Sequence, residues 1–232
     1  MTSTLLLKLS GPLQSWGTDS RYSTRDTSPH PSKSGVVGLI AAAMGRRRSD
    51  PVEDLASLRF GVRIDQPGSM AKDFQTAIDW RTGKSQPLIS RYYLADAVFV
   101  AAIEGPGPII AGIESALKSP RFPLYLGRRS CPAGADLVLG VREGSLESAL
   151  LHEPWHASRA HRTTRAQQVN LAVIRDAHPG ETGLQVRDHP VSFAQEHRQY
   201  SWREVVQDTP VTVENPDGRS LNDDFFEAVM SA

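Results

Sequence analysis

The segment Pro31-Ser32-Lys33-Ser34-Gly35 places an ammonium, two hydroxyls and a glycine at the head of an apolar run, Val36, Val37, Ile40, Ala43 and Met44, with helical spacing. Amides left free at a helix start, the positive end of the helix dipole and Lys33 together favour an oxyanion. Ser34 can serve as N-cap, and Gly35 lets a phosphate approach the backbone. The upstream glycine of a G-x-x-x-x-G-K-[ST] loop would fall at Thr27, which argues against nucleotide hydrolysis. An ordinary capped helix with an exposed lysine fits the same residues.

A second candidate is Arg121-Phe122-Pro123-Leu124-Tyr125-Leu126-Gly127-Arg128-Arg129-Ser130-Cys131-Pro132. A sharp turn at Gly127 would set Arg128 and Arg129 side by side as a phosphate clamp, or leave them on a solvated loop. A third is residues 155–175, with Arg159, Arg162, Arg165, Arg175, His156 and His161 and no acid. That run can track a phosphate backbone or form a solvated face.

His152-Glu153-Pro154-Trp155-His156 matches the H-E-x-x-H zinc string, but Pro154 cannot sit inside the helix the motif requires. No metal and no cofactor is expected. Tyr22, His30 and Lys33 lie close in sequence and contain the groups a metal-free RNA cleaver needs. Cys131 is the sole cysteine and reads as a small unreactive residue in a chain without an internal disulfide.

The formal charge is zero, from 26 basic and 26 acidic side chains, yet the charges are separated. Residues 1–48 sum to +5 and residues 204–232 to −6, so a local basic surface is compatible with neutrality. Arginine supplies 21 of the 26 bases, a bias suited to phosphate and base stacking and equally to a GC-rich genome. The longest apolar run, Gly35 to Gly45, is 11 residues where a bilayer needs ~20, so a cytoplasmic protein without a membrane span is expected.

The elements that must position these groups follow from periodicity. Thr4–Leu9, Arg59–Asp65, Ala97–Ile103 and Asp136–Val141 read as strands; Ser34–Met44 and Ile109–Lys118 read as helices. The order β, α, β, β, α, β is that of an α+β, ferredoxin-like (RRM-like) domain. Between its second and third strands lie residues 69–96, too long for filler, with Arg81-Thr82-Gly83-Lys84 as a hairpin tip. We expect a protruding arm fixed by a partner. Residues 1–145 then form the main domain and 146–232 a small, mostly β region, with a helix at Ser145–Leu151, short strands at Gln168–Arg175 and Val191–Ala194 and an acidic helix at Leu221–Met230.

Three motifs in order, Leu5-Leu6-Leu7-Lys8-Leu9-Ser10-Gly11-Pro12-Leu13-Gln14-Ser15-Trp16-Gly17, Pro31 through Leu39, and Tyr125 through Pro132, resemble the CasD family. Its members are the subunits of type I-E CRISPR surveillance complexes (Cascade) that hold the 5′ handle of the guide RNA. The resemblance spans residues 4–141 and implies a repeat-associated RNA-binding fold whose β-hairpin arm, or thumb, packs on the backbone subunit CasC. It further implies contacts with the large subunit CasA, indirect engagement of target DNA, and membership of the non-cutting branch. Relatives in type I-C systems cut precursor RNA, so a metal-independent endoribonuclease is the alternative.

For handle RNA we expect phosphate contacts from Arg25, Lys33, Ser34, Gly35, Arg128 and Arg129. Gln14 is expected to read a base edge, Trp16 to stack on a base, and Arg91 and Tyr92 to fix the handle at the thumb root.

Overall fold

The computed structural model describes residues 2–17 and 24–219. The elements in order are β1 (Thr2–Ser10), β2 (Leu13–Gln14), β3 (Thr24–Arg25), α1 (Lys33–Ala43), α2 (Glu53–Ala56), β4 (Arg59–Gln66), β5 (Ser69–Gln75), β6 (Ile89–Ala95), β7 (Val98–Pro106) and α3 (Gly107–Lys118). They continue with β8 (Val138–Glu143), α4 (Leu146–His152), α5 (Arg159–Arg162), β9 (Gln168–Asp176), β10 (Leu184–Ser192) and β11 (Gln199–Glu214).

Seven strands form one sheet in the order β10-β11-β9-β4-β7-β1-β8, antiparallel throughout. The unbroken aliphatic run of β1 arises because both of its faces are covered. Leu5, Leu7 and Leu9 pack with Phe60, Val62, Phe99 and Ile103 beneath α1 and α3. Leu6, Val100, Ala102, Leu171 and Val173 face the other way, under Leu146 and Leu150 of α4. This is the two-residue period of a strand read from both sides.

Helix α1 begins one residue earlier than expected, and its N-cap lies two residues earlier. Ser32, not Ser34, is the N-cap, and its Oγ accepts the Gly35 amide at 3.3 Å. Val36, Val37, Leu39, Ile40 and Ala43 then turn inward.

The 69–96 segment is an antiparallel hairpin, β5 with β6, paired from Ser69↔Ala95 to Gln75↔Ile89. Its tip closes where the Asp79 amide donates to the Lys84 carbonyl at 2.9 Å. The same β6 also pairs with β2 and β3, so the arm's root holds the loop that follows β1. Met70, Phe74, Ile78, Leu88 and above all Trp80, 84% accessible, are exposed along the arm.

The C-terminal region departs from expectation in extent. The strand expected at Val191–Ala194 is the nine-residue β10, and β11, absent from the sequence reading, is the longest element at 16 residues. Three of the seven acids from residue 204 onward, Glu204, Asp208 and Glu214, therefore belong to a strand rather than a tail. Region 146–219 continues the main sheet through β9 on β4. The helix expected at Leu221–Met230 lies outside the described residues. Among the described residues no helix is long and apolar enough to cross a membrane.

Candidate nucleic-acid interface

The start of α1 is already occupied by an anion from the chain itself. Asp188 Oδ2 on β10 accepts the Lys33 amide at 2.7 Å, and Lys33 Nζ donates to Asp176 Oδ2 on β9 at 2.9 Å. Arg203 on β11 holds both carboxylates, with Nε 2.5 Å from Asp188 and Nη1 2.6 Å from Asp176. The phosphate expected at Lys33 is thus replaced by a buried, charge-balanced cluster of Lys33, Arg203, Asp176 and Asp188. Lys33 is only 5% accessible, and burial lowers its pKa despite Asp176. Beside it, burial also lowers the pKa of His30, whose Nδ1 lies 3.2 Å from the Pro31 carbonyl.

The open site lies along the next turns of α1. A groove of ≈ 890 Å³ runs over Ser34, Gly35, Gly38, Ala41 and Ala42 and past the basic turn Arg46-Arg47-Arg48. Its walls come from residues 15–17 and 25–26, from the loop 122–129, and from Arg187, Phe193, Arg198 and Tyr200 of the β10–β11 hairpin. Among the described residues eight arginines line it, residues 25, 46, 47, 48, 128, 129, 187 and 198, against one carboxylate, Asp26.

These arginines differ in availability. Arg46 is held by Asp54 and by the Pro51 carbonyl. Arg128 ties the walls together: Nη1 donates to the Tyr92 carbonyl at 3.2 Å, Nη2 to that of Arg25 at 2.8 Å, and its guanidinium lies 4.8 Å from the Tyr93 ring centre. By contrast Arg47, Arg48, Arg129 and Arg198 are exposed, and no side-chain hydrogen bond or ion pair is formed by them among the described residues. Such guanidinium groups gain most from a phosphate, because they lose no existing partner.

Gly127 makes the Arg128–Arg129 turn possible. Its φ of +87° lies in the left-handed region, and a Cβ there would stand 1.7 Å from the Ser15 carbonyl oxygen. The Ser15 amide in turn donates to the Leu126 carbonyl at 3.1 Å, pinning the loop to the segment after β1.

Several expected contacts need correction. Gln14 is fully buried; its Nε2 donates to the carbonyls of Leu9 and Ala97 at 3.0 and 2.7 Å, and its Oε1 accepts Trp16 Nε1 at 3.0 Å. Both amide donors are used and the side chain is buried, so it presents nothing to a base edge. Trp16, 1% accessible, presents no ring face for stacking, because its six-membered ring packs on Gly35. A Cβ on Gly35 would approach that ring to 2.8 Å, so this glycine admits tryptophan rather than phosphate.

Arg91 and Tyr92 lie on β6 behind the walls and do not line the groove; Tyr92 carries Lys72 5.5 Å from its ring centre, and its carbonyl accepts Ser15 Oγ at 3.2 Å. Arg25, Ser34, Arg128 and Arg129 do converge on one groove. Sequence reasoning missed Arg187, Arg198, Phe193 and Tyr200, which no motif marks. It counted Arg46, Arg47 and Arg48 only as net charge.

The 155–175 run forms a different surface. Arg175 is buried among Glu181, Asp208 and Glu147, and Arg162 pairs with Asp217. The His152–His156 string is broken as its proline requires: α4 ends at His152, Glu153 is extended, and His156 Nε2 lies 2.9 Å from Glu153. Fully buried Arg63 secures this corner by donating to the carbonyls of Leu150, Glu153 and Pro154 at 2.6, 2.6 and 2.7 Å. Cys131 is buried, which pushes its thiol pKa up. Tyr22 lies outside the described residues.

The family model for CRISPR-associated protein (Cas_Cas5) matches residues 4–206. The chain belongs to the Cas5 family. Over 176 residues this Cas5 chain is 36% identical to the CRISPR system Cascade subunit CasD of Escherichia coli (strain K12), covering 66% of the chain and 79% of that protein. A crystal structure of a Cas protein superposes with a TM-score of 0.71 at 38% identity, covering 93% of this chain and 97% of that one. A chain of a CRISPR RNA-guided surveillance complex superposes with a TM-score of 0.75 at 32% identity over 98% of each. The matched span takes in α1, the 122–129 loop and part of β11, so the Cas5 region carries the groove.

Proposed function

We propose that this chain is a non-catalytic subunit of a CRISPR surveillance complex that grips the single-stranded 5′ handle of the guide crRNA. The observation that carries this reading is the arginine groove, with four available guanidinium groups and, among the described residues, a lone carboxylate beside a helix face of small residues. Arg25, Arg47, Arg48 and Arg129 are assigned phosphate contacts, Ser34 a hydroxyl contact, and Arg128 the support of the wall that carries Arg129. The groove arginines do not give up their protons. With Lys33 bound to Asp176, this supports holding RNA rather than cutting it.

In this reading β1, α1, β4, β7, α3 and β8 form a ferredoxin-like core within residues 1–145, supported by the central order β8-β1-β7-β4. The β5–β6 hairpin is the thumb, and its exposed Met70, Phe74, Ile78 and Trp80 suit burial against the backbone subunit CasC. Residues 146–232 are the smaller C-terminal region. CasA is the expected neighbour, target DNA is engaged through the guide, and the complex works in the cytoplasm.

Fluorescence anisotropy with handle RNA across a salt series tests the interface. Each phosphate contact contributes roughly 0.7 to the log–log salt slope on a single strand. Arg47→Ala and Arg129→Ala should each flatten the slope by about that amount, while Arg159→Ala, on α5 and outside the groove, should not. Unchanged slopes for both groove variants would refute the interface. A unique cut in the RNA by the purified chain would refute the non-catalytic reading.

A further inference from the structure

The β10–β11 hairpin belongs to the stretch beyond residue 141, where the motif-based resemblance ends, yet it supplies a wall of the groove. Register shifts between Val186 and His189 and between Pro190 and Ser192 interrupt the regular ladder of β10. Bulges of this kind re-aim side chains. Arg187 and Phe193 line the groove here, joined by Arg198 and Tyr200.

The hairpin is also held rigidly to α1. Asp188, next to Arg187, is 2% accessible and binds the first amide of α1, while Arg203 locks Asp188 on β10 to Asp176 on β9. A buried, mutually satisfied charge cluster fixes register, since any other docking would leave charges unpaired. At the rim, Arg187 Nε donates to the Tyr200 carbonyl at 3.3 Å, placing a guanidinium next to an aromatic residue.

We infer that the β10–β11 hairpin is a second RNA-binding element, in which Arg187 and Arg198 bind guide phosphates and Tyr200 stacks on an unpaired base. Single-stranded nucleic acid is held by phosphate donors interleaved with π faces. The buried Trp16 supplies no such face, whereas partly exposed Tyr200 lies beside two arginines. Asp188 and Arg203 are positioning residues that hold this wall against α1.

The inference rests on the RNA reading of the groove, and the test separates the two. In the same anisotropy series, Arg187→Ala with Arg198→Ala should flatten the salt slope by roughly 1.4, two contacts at about 0.7 each. Tyr200→Ala should weaken binding roughly 5- to 150-fold with its slope retained, the range for one stacked base. All three positions are at least partly exposed, and a melting curve matching that of wild type is the check that each variant is folded. If the double variant binds like wild type while Arg129→Ala flattens the slope, the hairpin is not part of the interface and only this inference falls. If Arg129→Ala is also without effect, the RNA groove falls with it. Unchanged affinity for Tyr200→Ala would remove the stacking role.

Discussion

Replacing Lys33 with methionine distinguishes a phosphate ligand from an internal brace. Methionine fills a similar volume and removes the ammonium that lies 2.9 Å from Asp176. A hydrogen bond involving charged groups contributes about 1.5–3 kcal/mol. Asp176 keeps Arg203 Nη1 at 2.6 Å and the Phe60 amide at 2.9 Å, so the carboxylate is not orphaned and the loss should stay in that range. For a chain of this size each kcal/mol moves the melting temperature by roughly 2–4 °C, so Lys33→Met should melt roughly 3–12 °C lower. Asp176→Asn should cost more, about 3–5 kcal/mol, because it leaves a buried ammonium without its nearest counter-charge. The assay pairs thermal unfolding with the RNA salt series. Lys33→Met is expected to lower the melting temperature and retain the salt slope. A slope flattened by about 0.7 with an unchanged melting temperature would refute this account and restore Lys33 as a phosphate ligand.

Two further outcomes follow from the same contacts. Trp16→Ala should cost about 3–5 kcal/mol in chemical denaturation, since a large ring at 1% accessibility leaves a cavity over Gly35; unchanged stability with weaker RNA binding would contradict that packing role. Glu147 is held at about 2, below its ordinary 4.5: burial opposes the charge, but hydrogen bonds from Arg59 at 2.6 Å, its own amide and Ser145 outweigh it. Its stabilisation is therefore complete above pH 4.5 and fades as pH falls towards 2, so wild type should lose its stability advantage over Glu147→Gln across that window. Parallel stability curves for the two proteins would rule this out.

What the sequence by itself determined is what local pattern encodes. The aliphatic run of β1, the 3.6-residue spacing of α1 and α3, and the turn chemistry at Arg81-Thr82-Gly83-Lys84 each depend on neighbours within a few residues. Their elements appear close to the expected bounds. Gly127 and its paired arginines were legible for the same reason, because a turn is a local event.

Only the tertiary structure decided which charges remain available to a ligand. Asp188 takes the head of α1 from 155 residues away, so nothing near Lys33 signals that its anion is internal. Gln14 looked like a polar group on a loop until the Ala97 carbonyl, 83 residues on, accepted its amide. Arg187 and Arg198 carry no motif and reach the groove only because β10 packs on α1 and carries the turn into β11 with it. Sequence spacing specifies the type and direction of a side chain within its own element. Burial and pairing are set by distant segments folding onto it, and those decide whether a cation meets a carboxylate of its own chain or remains open to a phosphate.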